Sequence, residues 1–173
     1  MFIAHLPAGY LLTRQMARKR ETAWRGLLAV GLLCSVLPDF DLIYFYVVDH
    51  RRTLHHDYWT HTPLFWIAAA AVIGLVLLVS GKRERLIFVW AGLLNILLHL
   101  AMDSVAADIR WFYPLSEARL NLVHIPARYS PWFLNFLLHW TFAVELMILI
   151  AAVVVLLKSR RKRGFATGPT TTS

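Results

Sequence analysis

The sequence has a single cysteine, Cys34, among its 173 residues. One cysteine excludes an internal disulfide framework and any zinc site built from several thiolates. Charged residues are also scarce: they make up 16% of the chain, whereas apolar types make up 58%. An average soluble domain is about a quarter charged and nearly half apolar. The composition therefore excludes a disordered chain and argues against an ordinary water-soluble domain.

Long apolar runs account for this excess. A helix needs about 20 apolar residues to cross the roughly 30 Å hydrocarbon core of a bilayer. We predict an all-α integral membrane protein with four transmembrane helices, near residues 26–48, 64–80, 86–106 and 132–157. The apolar segment 1–13 is too short to cross and predicts a half-inserted or interfacial helix. We expect a single membrane-embedded domain over residues 1–163 and a disordered tail over 164–173.

Basic residues are distributed unevenly around these runs. Thirteen Lys and Arg lie before the first run, between the second and third, or after the fourth, and five lie in the other two loops. Because cytoplasmic loops are enriched in Lys and Arg, we predict a multi-pass membrane protein with both termini in the cytoplasm. The net charge of +8 then reflects topology, and we expect no nucleic-acid partner. The basic C-terminal segment is expected to meet anionic lipid.

Ionisable side chains in or beside the apolar runs are the candidates for function, since placing them in hydrocarbon costs a few kcal/mol. They are imidazoles and carboxylates, which without thiolates form a donor set for zinc, manganese or iron. The candidate ligands are His5, Asp39, Asp41, His56, His61, His99 and Asp103. At the helical rise, Asp39 and His99 both lie about 20 Å from the inner ends of their runs. We therefore predict a metal site in the outer half of the membrane.

Each pair in this set is weak evidence by itself. His99 and Asp103 share a helix face because they are four residues apart, and such a pair stabilises a helix as often as it binds a metal. Asp39 and Asp41 lie on different sides of a regular helix. They converge only if Pro38 breaks the helix, as proline can.

Three further ionisable residues are not assigned to the site. We interpret His55 as a neighbour of the ligands. His139 and Glu145 lie in the last apolar run, six residues apart and therefore about 120° apart around a helix. We do not expect the two side chains to reach the same metal ion. Either could instead make a hydrogen bond between helices.

Five short motifs follow one another along the chain: Ala4-His5-Leu6, Leu37-Pro38-Asp39-Phe40-Asp41, His56 to Thr60-His61-Thr62, His99 to Asp103, and Trp111 with Pro114. In this order they resemble the membrane-bound metal-dependent hydrolases, also described as LexA-binding inner-membrane hydrolases. The resemblance covers residue 4 to about residue 115. The family has Arg-Gly where this chain has Asp57-Tyr58, and Ser in place of Thr62. The resemblance implies a metal ion, a hydrolytic reaction and a location in the bacterial inner (plasma) membrane.

Seven candidate ligands exceed the three that one catalytic zinc ion takes from a protein. Two metal ions about 4 Å apart that share an aspartate would use them all. We expect one or two divalent ions per chain, zinc first and manganese or iron as alternatives. We predict Asp39 and Asp103 as the catalytic residues: either could bridge the ions, and a spare carboxylate could act as general base.

A site in the outer leaflet would meet a membrane lipid or a lipid-linked substrate by lateral diffusion. We therefore predict hydrolysis of a phosphoester in such a molecule. Four arginines of the outer loops are candidates to hold the phosphate: Arg51, Arg52, Arg110 and Arg119.

The alternative is a protein without catalytic activity, either a metal-ion transporter or a metal-stabilised membrane scaffold. A transporter needs ligands along a path through the membrane, whereas the ionisable residues here stop in the outer half, except Glu145. A scaffold needs protein atoms at every ligand position, with no position open to water.

Overall fold

The computed structural model describes residues 3–18 and 23–166, and for residues 160–166 the backbone alone. Over these ranges the chain is helical, with a single isolated β-bridge between Ile109 and Leu120, so the predicted all-α class is confirmed. The helices are α1 (His5–Met16), α2 (Trp24–Cys34), α3 (Asp41–Val47), α4 (Pro63–Val79), α5 (Leu86–Asp103), α6 (Leu134–Leu137) and α7 (Trp140–Ala166). Short three-ten turns occupy Pro38–Phe40, His55–Asp57, Trp59–His61 and Arg83–Arg85.

Two or three of the helical segments are candidate membrane spans. Arg83–Asp103 and Trp140–Ser159, with 21 and 20 residues, are long and apolar enough to cross a bilayer. Trp24–Cys34 and Pro38–Val47, bent by 51° relative to each other, make a third if they form one broken span. Pro63–Val79 is apolar but has 17 residues, which is about 26 Å of helix. The fourth span therefore stays a prediction.

The break between α2 and α3 is explained by Pro38. Proline has no N–H to donate, and its ring clashes with the carbonyl of the fourth residue before it. The chain therefore leaves α2, makes the three-ten turn Pro38–Phe40 and starts α3 at Asp41. The single helix predicted over residues 26–48 is thus two helices, and the break carries the two aspartates of the Leu-Pro-Asp-Phe-Asp motif.

The short helix α1 packs among the other helices. It contacts α2, α5 and α7, and two glycines allow the close approach. A Cβ added at Gly9 would lie 2.5 Å from Ser35 Cβ, and one added at Gly31 would collide with the Thr13 side chain. The amide of Asn95 also donates a hydrogen bond of 3.0 Å to Thr13 Oγ1. Small residues let helices approach closely in membranes, which explains the packing of α1; its half-inserted or interfacial placement stays a prediction.

α1 runs antiparallel to α5. Ala4 and Ala8 pack with Met102 at the end of α5, whereas Ala17 packs with Ala91 near its beginning. The start of α1 therefore lies at the same end of the bundle as the last turn of α5, away from the basic turn that precedes α5. The side of the membrane that each chain end faces stays a prediction.

The last helix differs in its limits from the predicted span over 132–157. α6 and a short turn come first, and α7 begins at Trp140. It continues through residues 164–166, which were expected in a disordered tail. The rest of that tail, 167–173, lies outside the described residues, as do the side chains of the basic run 160–163 that is expected to meet anionic lipid.

Candidate metal centre

Four side chains from three parts of the chain meet at the end of α5: those of Asp39, His61, His99 and Asp103. One possible ligand atom from each lies within 4.8 Å of all the others. His99 Nε2 is 3.0 Å from Asp103 Oδ2 and 3.6 Å from Asp39 Oδ1. His61 Nε2 is 3.8 Å from Asp39 Oδ1 and 3.9 Å from Asp103 Oδ2. This group could hold a metal ion.

Local structure explains why these side chains converge. His99 and Asp103 are four residues apart in α5, so they lie one above the other on a single helix face. His61 ends the three-ten turn Trp59–His61, and the extended backbone of Thr62 separates this turn from α4. A residue before proline disfavours the helical conformation. The turn therefore stays distinct from the helix that follows, and His61 lies at the junction.

Hydrogen bonds fix the orientation of both imidazoles. His61 Nδ1 lies 3.0 Å from Asp41 Oδ2, and His99 Nδ1 lies 2.8 Å from the carbonyl oxygen of Ser35. Because these oxygens accept, each Nδ1 carries a proton and each Nε2 is directed into the group, toward the carboxylates. Neither Nε2 makes a hydrogen bond within the described ranges. Metal-binding histidines are held in this way, so the residues fit a metal ion.

Asp41 lies behind His61 rather than among the four converging residues. Its Oδ2 accepts hydrogen bonds from His61 Nδ1 and from the hydroxyl of Thr60, and its Oδ1 lies 3.0 Å from His55 Nδ1. From the sequence, Asp41 is predicted to be a metal ligand. Two residues apart, Asp39 and Asp41 face different sides of the His61 ring, and the structure gives Asp41 a contact that orients this ring.

His55 lies between the two aspartates. From the sequence it is interpreted as a neighbour of the ligands. Its Nε2 is 3.4 Å from Asp39 Oδ1, and its Nδ1 is 3.0 Å from Asp41 Oδ1. Burial opposes a charge on the ring, but the hydrogen bonds to the two carboxylates outweigh it and raise the pKa of His55 to about 9. The adjacent pair His55-His56 was the available signal, but no spacing rule chooses between two neighbouring residues in a turn.

A second group of possible ligands is formed by His55, His56 and His61, whose ligand atoms also lie within 4.8 Å of one another. Burial lowers the pKa of His56 to about 3, which keeps this imidazole in the neutral form that binds metals. His61 belongs to both groups. Its Nδ1 is bound to Asp41 and its Nε2 can bind one ion, so the two groups are alternatives at His61.

His5, the first residue of α1, covers another side of the cluster. Its Nε2 lies 3.2 Å from Asp103 Oδ1, and its ring stacks on that of His99 with centroids 3.9 Å apart. His5 is buried. His5, which lies 94 positions before His99 in the sequence, is thus in direct contact with the site.

Two of the arginines expected to bind phosphate are engaged elsewhere. Arg119 contacts both carboxylate oxygens of Asp57, at 2.7 and 3.2 Å, and Arg110 donates to the backbone carbonyl of Asp57 at 2.5 Å. This ties the turn that carries His55 and His56 to the loop after α5.

His139 and Glu145 do not join the cluster. His139 Nδ1 lies 3.0 Å from Thr141 Oγ1 at the start of α7. Glu145 is buried, and its Oε2 accepts a hydrogen bond of 2.7 Å from the backbone N–H of Ile3. Glu145 thus makes a hydrogen bond to the chain just before α1, not the helix-to-helix bond that was one of the alternatives.

Apolar helices that enclose a buried group of His and Asp side chains define an integral membrane protein with a candidate metal centre. The family described as YdjM inner membrane protein matches the chain over residues 1–164. The chain therefore belongs to this family, which is that of the LexA-binding, membrane-bound metal-dependent hydrolases. The resemblance drawn from the motifs is confirmed, and so is the inner membrane as location. No curated protein and no solved structure matches the chain.

Proposed function

We propose that this chain is a metal-dependent hydrolase in which His61, His99 and Asp103 bind a divalent ion and Asp39 lies at the open side of the site. The observation that carries the proposal is the pair of buried imidazoles whose Nδ1 atoms are bound and whose Nε2 atoms face two carboxylates. Burying carboxylates without a compensating charge is costly. A divalent ion supplies that charge and uses both lone pairs. The donor set suits zinc first, and also manganese or iron.

The exposure of the four residues supports an enzyme over a scaffold. The side chains of His61, His99 and Asp103 are 3% exposed or less, whereas that of Asp39 is 30% exposed. A structural zinc site is closed by protein atoms, and a catalytic one keeps a position for water. The side of Asp39 is where water and substrate would enter.

The distribution of buried charge disfavours a transporter. In the part of the chain that the structure describes, the buried His, Asp and Glu side chains gather at one end of the bundle, where α1 starts and α5 ends. Glu145 also belongs to this end, because it contacts Ile3. A transport path needs ligands at successive depths, and the buried polar residues toward the other end are the neutral Thr13 and Asn95.

The chain's own residues then have distinct roles in hydrolysis. A bound divalent ion would lower the pKa of a water molecule and polarise the bond to be broken. Asp39 Oδ1 faces the imidazoles, so Asp39 Oδ2 takes the proton as the water oxygen bonds to phosphorus. The bond from phosphorus to the leaving oxygen breaks, and this oxygen takes the proton back from Asp39. Asp103, which is buried, holds the site together and does not meet the substrate.

The surroundings of Asp39 favour a substrate with an apolar chain. Phe40 and Trp59, on the two turns that flank the site, are 52% and 58% exposed. We propose a phosphoester of a lipid or lipid-linked molecule that reaches the site from the outer leaflet. Four spans with both termini in the cytoplasm would place the site at that depth. With Arg110 and Arg119 bound to Asp57, Arg51 and Arg52 are left as phosphate contacts.

The test is a hydrolysis assay on the purified protein with defined metal content. Generic phosphoesters and a lipid phosphate are offered to the wild type, Asp39→Asn and Asp49→Asn. Asp49 lies in an exposed loop, where it accepts a hydrogen bond from Thr53, and serves as the matched control. We expect a 10²–10⁴-fold loss for Asp39→Asn and wild-type rates for Asp49→Asn. A fully metal-loaded wild type that hydrolyses nothing on this panel, or an active Asp39→Asn, would contradict the proposal.

A further inference from the structure

We propose that Glu145 of α7 is a positioning residue: it anchors the chain just before α1 and thereby holds His5 against the metal site. The consequence for metal binding rests on the proposed function. The anchoring itself is a property of the protein without metal, and the two can be tested separately.

The contacts form a short chain from α7 to the cluster. Glu145 is 4% exposed, and its Oε2 accepts a hydrogen bond of 2.7 Å from the N–H of Ile3. Two residues later, His5 places Nε2 3.2 Å from Asp103 Oδ1 and stacks its ring on His99. A displacement of Ile3 therefore acts on His5 through two peptide units.

The chain just before α1 needs such an anchor for a physical reason. The N–H of Ile3 lies two residues before the first residue of α1, so the hydrogen bonds within the helix do not include it. A backbone N–H in an apolar environment needs an acceptor, and the carboxylate of Glu145 supplies it. The negative charge also lies near the start of α1, where the helix dipole favours it.

The packing around Glu145 fits the same role. Ala4 and Ala8 pack with Met102, and Ile148, one turn after Glu145 in α7, packs against this cluster. α7 thus holds the beginning of α1 by an apolar contact and by a hydrogen bond to the backbone. A buried carboxylate near the start of an apolar helix is costly to retain, and the contact with Ile3 gives it a specific partner.

Two substitutions separate the hydrogen bond from the charge. Gln keeps an oxygen acceptor of the same reach, whereas Ala removes it. If Glu145 acts by accepting from Ile3, Glu145→Gln should behave like the wild type and Glu145→Ala should not. Met147→Ala is the matched control for shortening a side chain of α7, because Met147 is 61% exposed.

The experiment uses the full chain in detergent, with Cys34→Ser and Ala4→Cys as the background. Ala4 is fully buried, so the rate of maleimide labelling reports on release of the start of α1. We expect Glu145→Ala to raise this rate at least tenfold, and Glu145→Gln and Met147→Ala to leave it unchanged. In the chain with Ala4 intact, the affinity for Zn²⁺, measured by competition with a chelator, should fall about 10–100-fold in Glu145→Ala.

A double-mutant cycle shows whether the effect passes through His5. We expect His5→Ala combined with Glu145→Ala to bind Zn²⁺ as His5→Ala does alone, because the second change has nothing left to displace. Unchanged labelling in Glu145→Ala overturns the anchoring, and additive losses in the cycle overturn the action through His5. A wild type that does not bind Zn²⁺ overturns the proposed function, and labelling still decides whether Glu145 anchors α1.

Discussion

The close packing of α1 predicts that Gly9→Ala disturbs both the stability of the protein and the metal site. A Cβ at Gly9 would lie 2.5 Å from Ser35 Cβ and 2.9 Å from Asn95 Oδ1. Carbon atoms in favourable contact are about 3.5–4.0 Å apart, so α1 has to move by about 1 Å. His5 Nε2, which lies 3.2 Å from Asp103 Oδ1, moves with it.

The magnitude follows from two opposing effects. Replacing a helical glycine by alanine gains about 1 kcal/mol from helix propensity. Overpacking a close contact costs about 1–3 kcal/mol. Gly74→Ala in α4 isolates the first effect, because its Cβ would meet only Leu86 Cδ2, at the ordinary distance of 3.8 Å. We therefore expect Gly9→Ala to be less stable than Gly74→Ala by about 1–3 kcal/mol.

The free energy of unfolding can be measured by denaturant titration in mixed micelles, with tryptophan fluorescence as the signal. The affinity for Zn²⁺ is measured on the same samples, and we expect it to fall in Gly9→Ala alone. Equal stability of Gly9→Ala and Gly74→Ala, within about 0.5 kcal/mol, would refute the close packing of α1 against α2 and α5.

Three further predictions concern the cluster and its place in the membrane. Asp41→Asn should lower the affinity for Zn²⁺ by about 10–100-fold, since Asp41 orients His61; an unchanged chelator competition would remove Asp41 from this role. Zn²⁺ affinity should fall as the pH is lowered, because each imidazole must lose its proton to bind; a flat profile between about pH 5 and 8 would speak against histidine ligands. Reporter fusions after Ser116 and after Lys158 should report opposite sides of the membrane, and the same side for both would end the predicted topology.

Short-range geometry made part of the site predictable. The spacing of His99 and Asp103 places them on one helix face whatever the rest of the fold does. A single span is predicted over residues 26–48, with a break at Pro38 as the condition for Asp39 and Asp41 to converge; the structure shows this break. These local rules led to the carboxylates and imidazoles that the structure brings together at the end of α5.

The remaining features depend on contacts between distant parts of the chain. The role of Asp41 depends on which side of His61 it meets, and that is decided by the packing of two turns. The engagement of Arg119 by Asp57 joins residues 62 positions apart. The acceptor role of Glu145 requires α1 to lie against α7. Hydropathy and spacing predict which residues are unusual, but they do not predict which of them meet.

The packing of α1 among the other helices is the feature that the sequence predicts least. Its length predicts that α1 does not cross a bilayer, but length alone does not predict which helices it contacts. The decisive features are Gly9 and Gly31, whose missing side chains admit α1 among the longer helices. A glycine in an apolar run is common in membrane helices, so the sequence alone does not distinguish a contact from an ordinary position.

The central claim is tested most directly by the metal content of purified wild type and Asp103→Asn, measured together with thermal stability in detergent. Asn keeps the size and shape of Asp103 and removes the charge that a divalent ion requires. We predict that the wild type carries the metal. Asp103→Asn should stay folded in the membrane fraction, because packing holds the helices together, but it should be metal-poor and inactive. An Asp103→Asn protein with full metal content and unchanged stability would contradict this prediction, whereas loss of the fold together with the metal would favour a metal-stabilised scaffold.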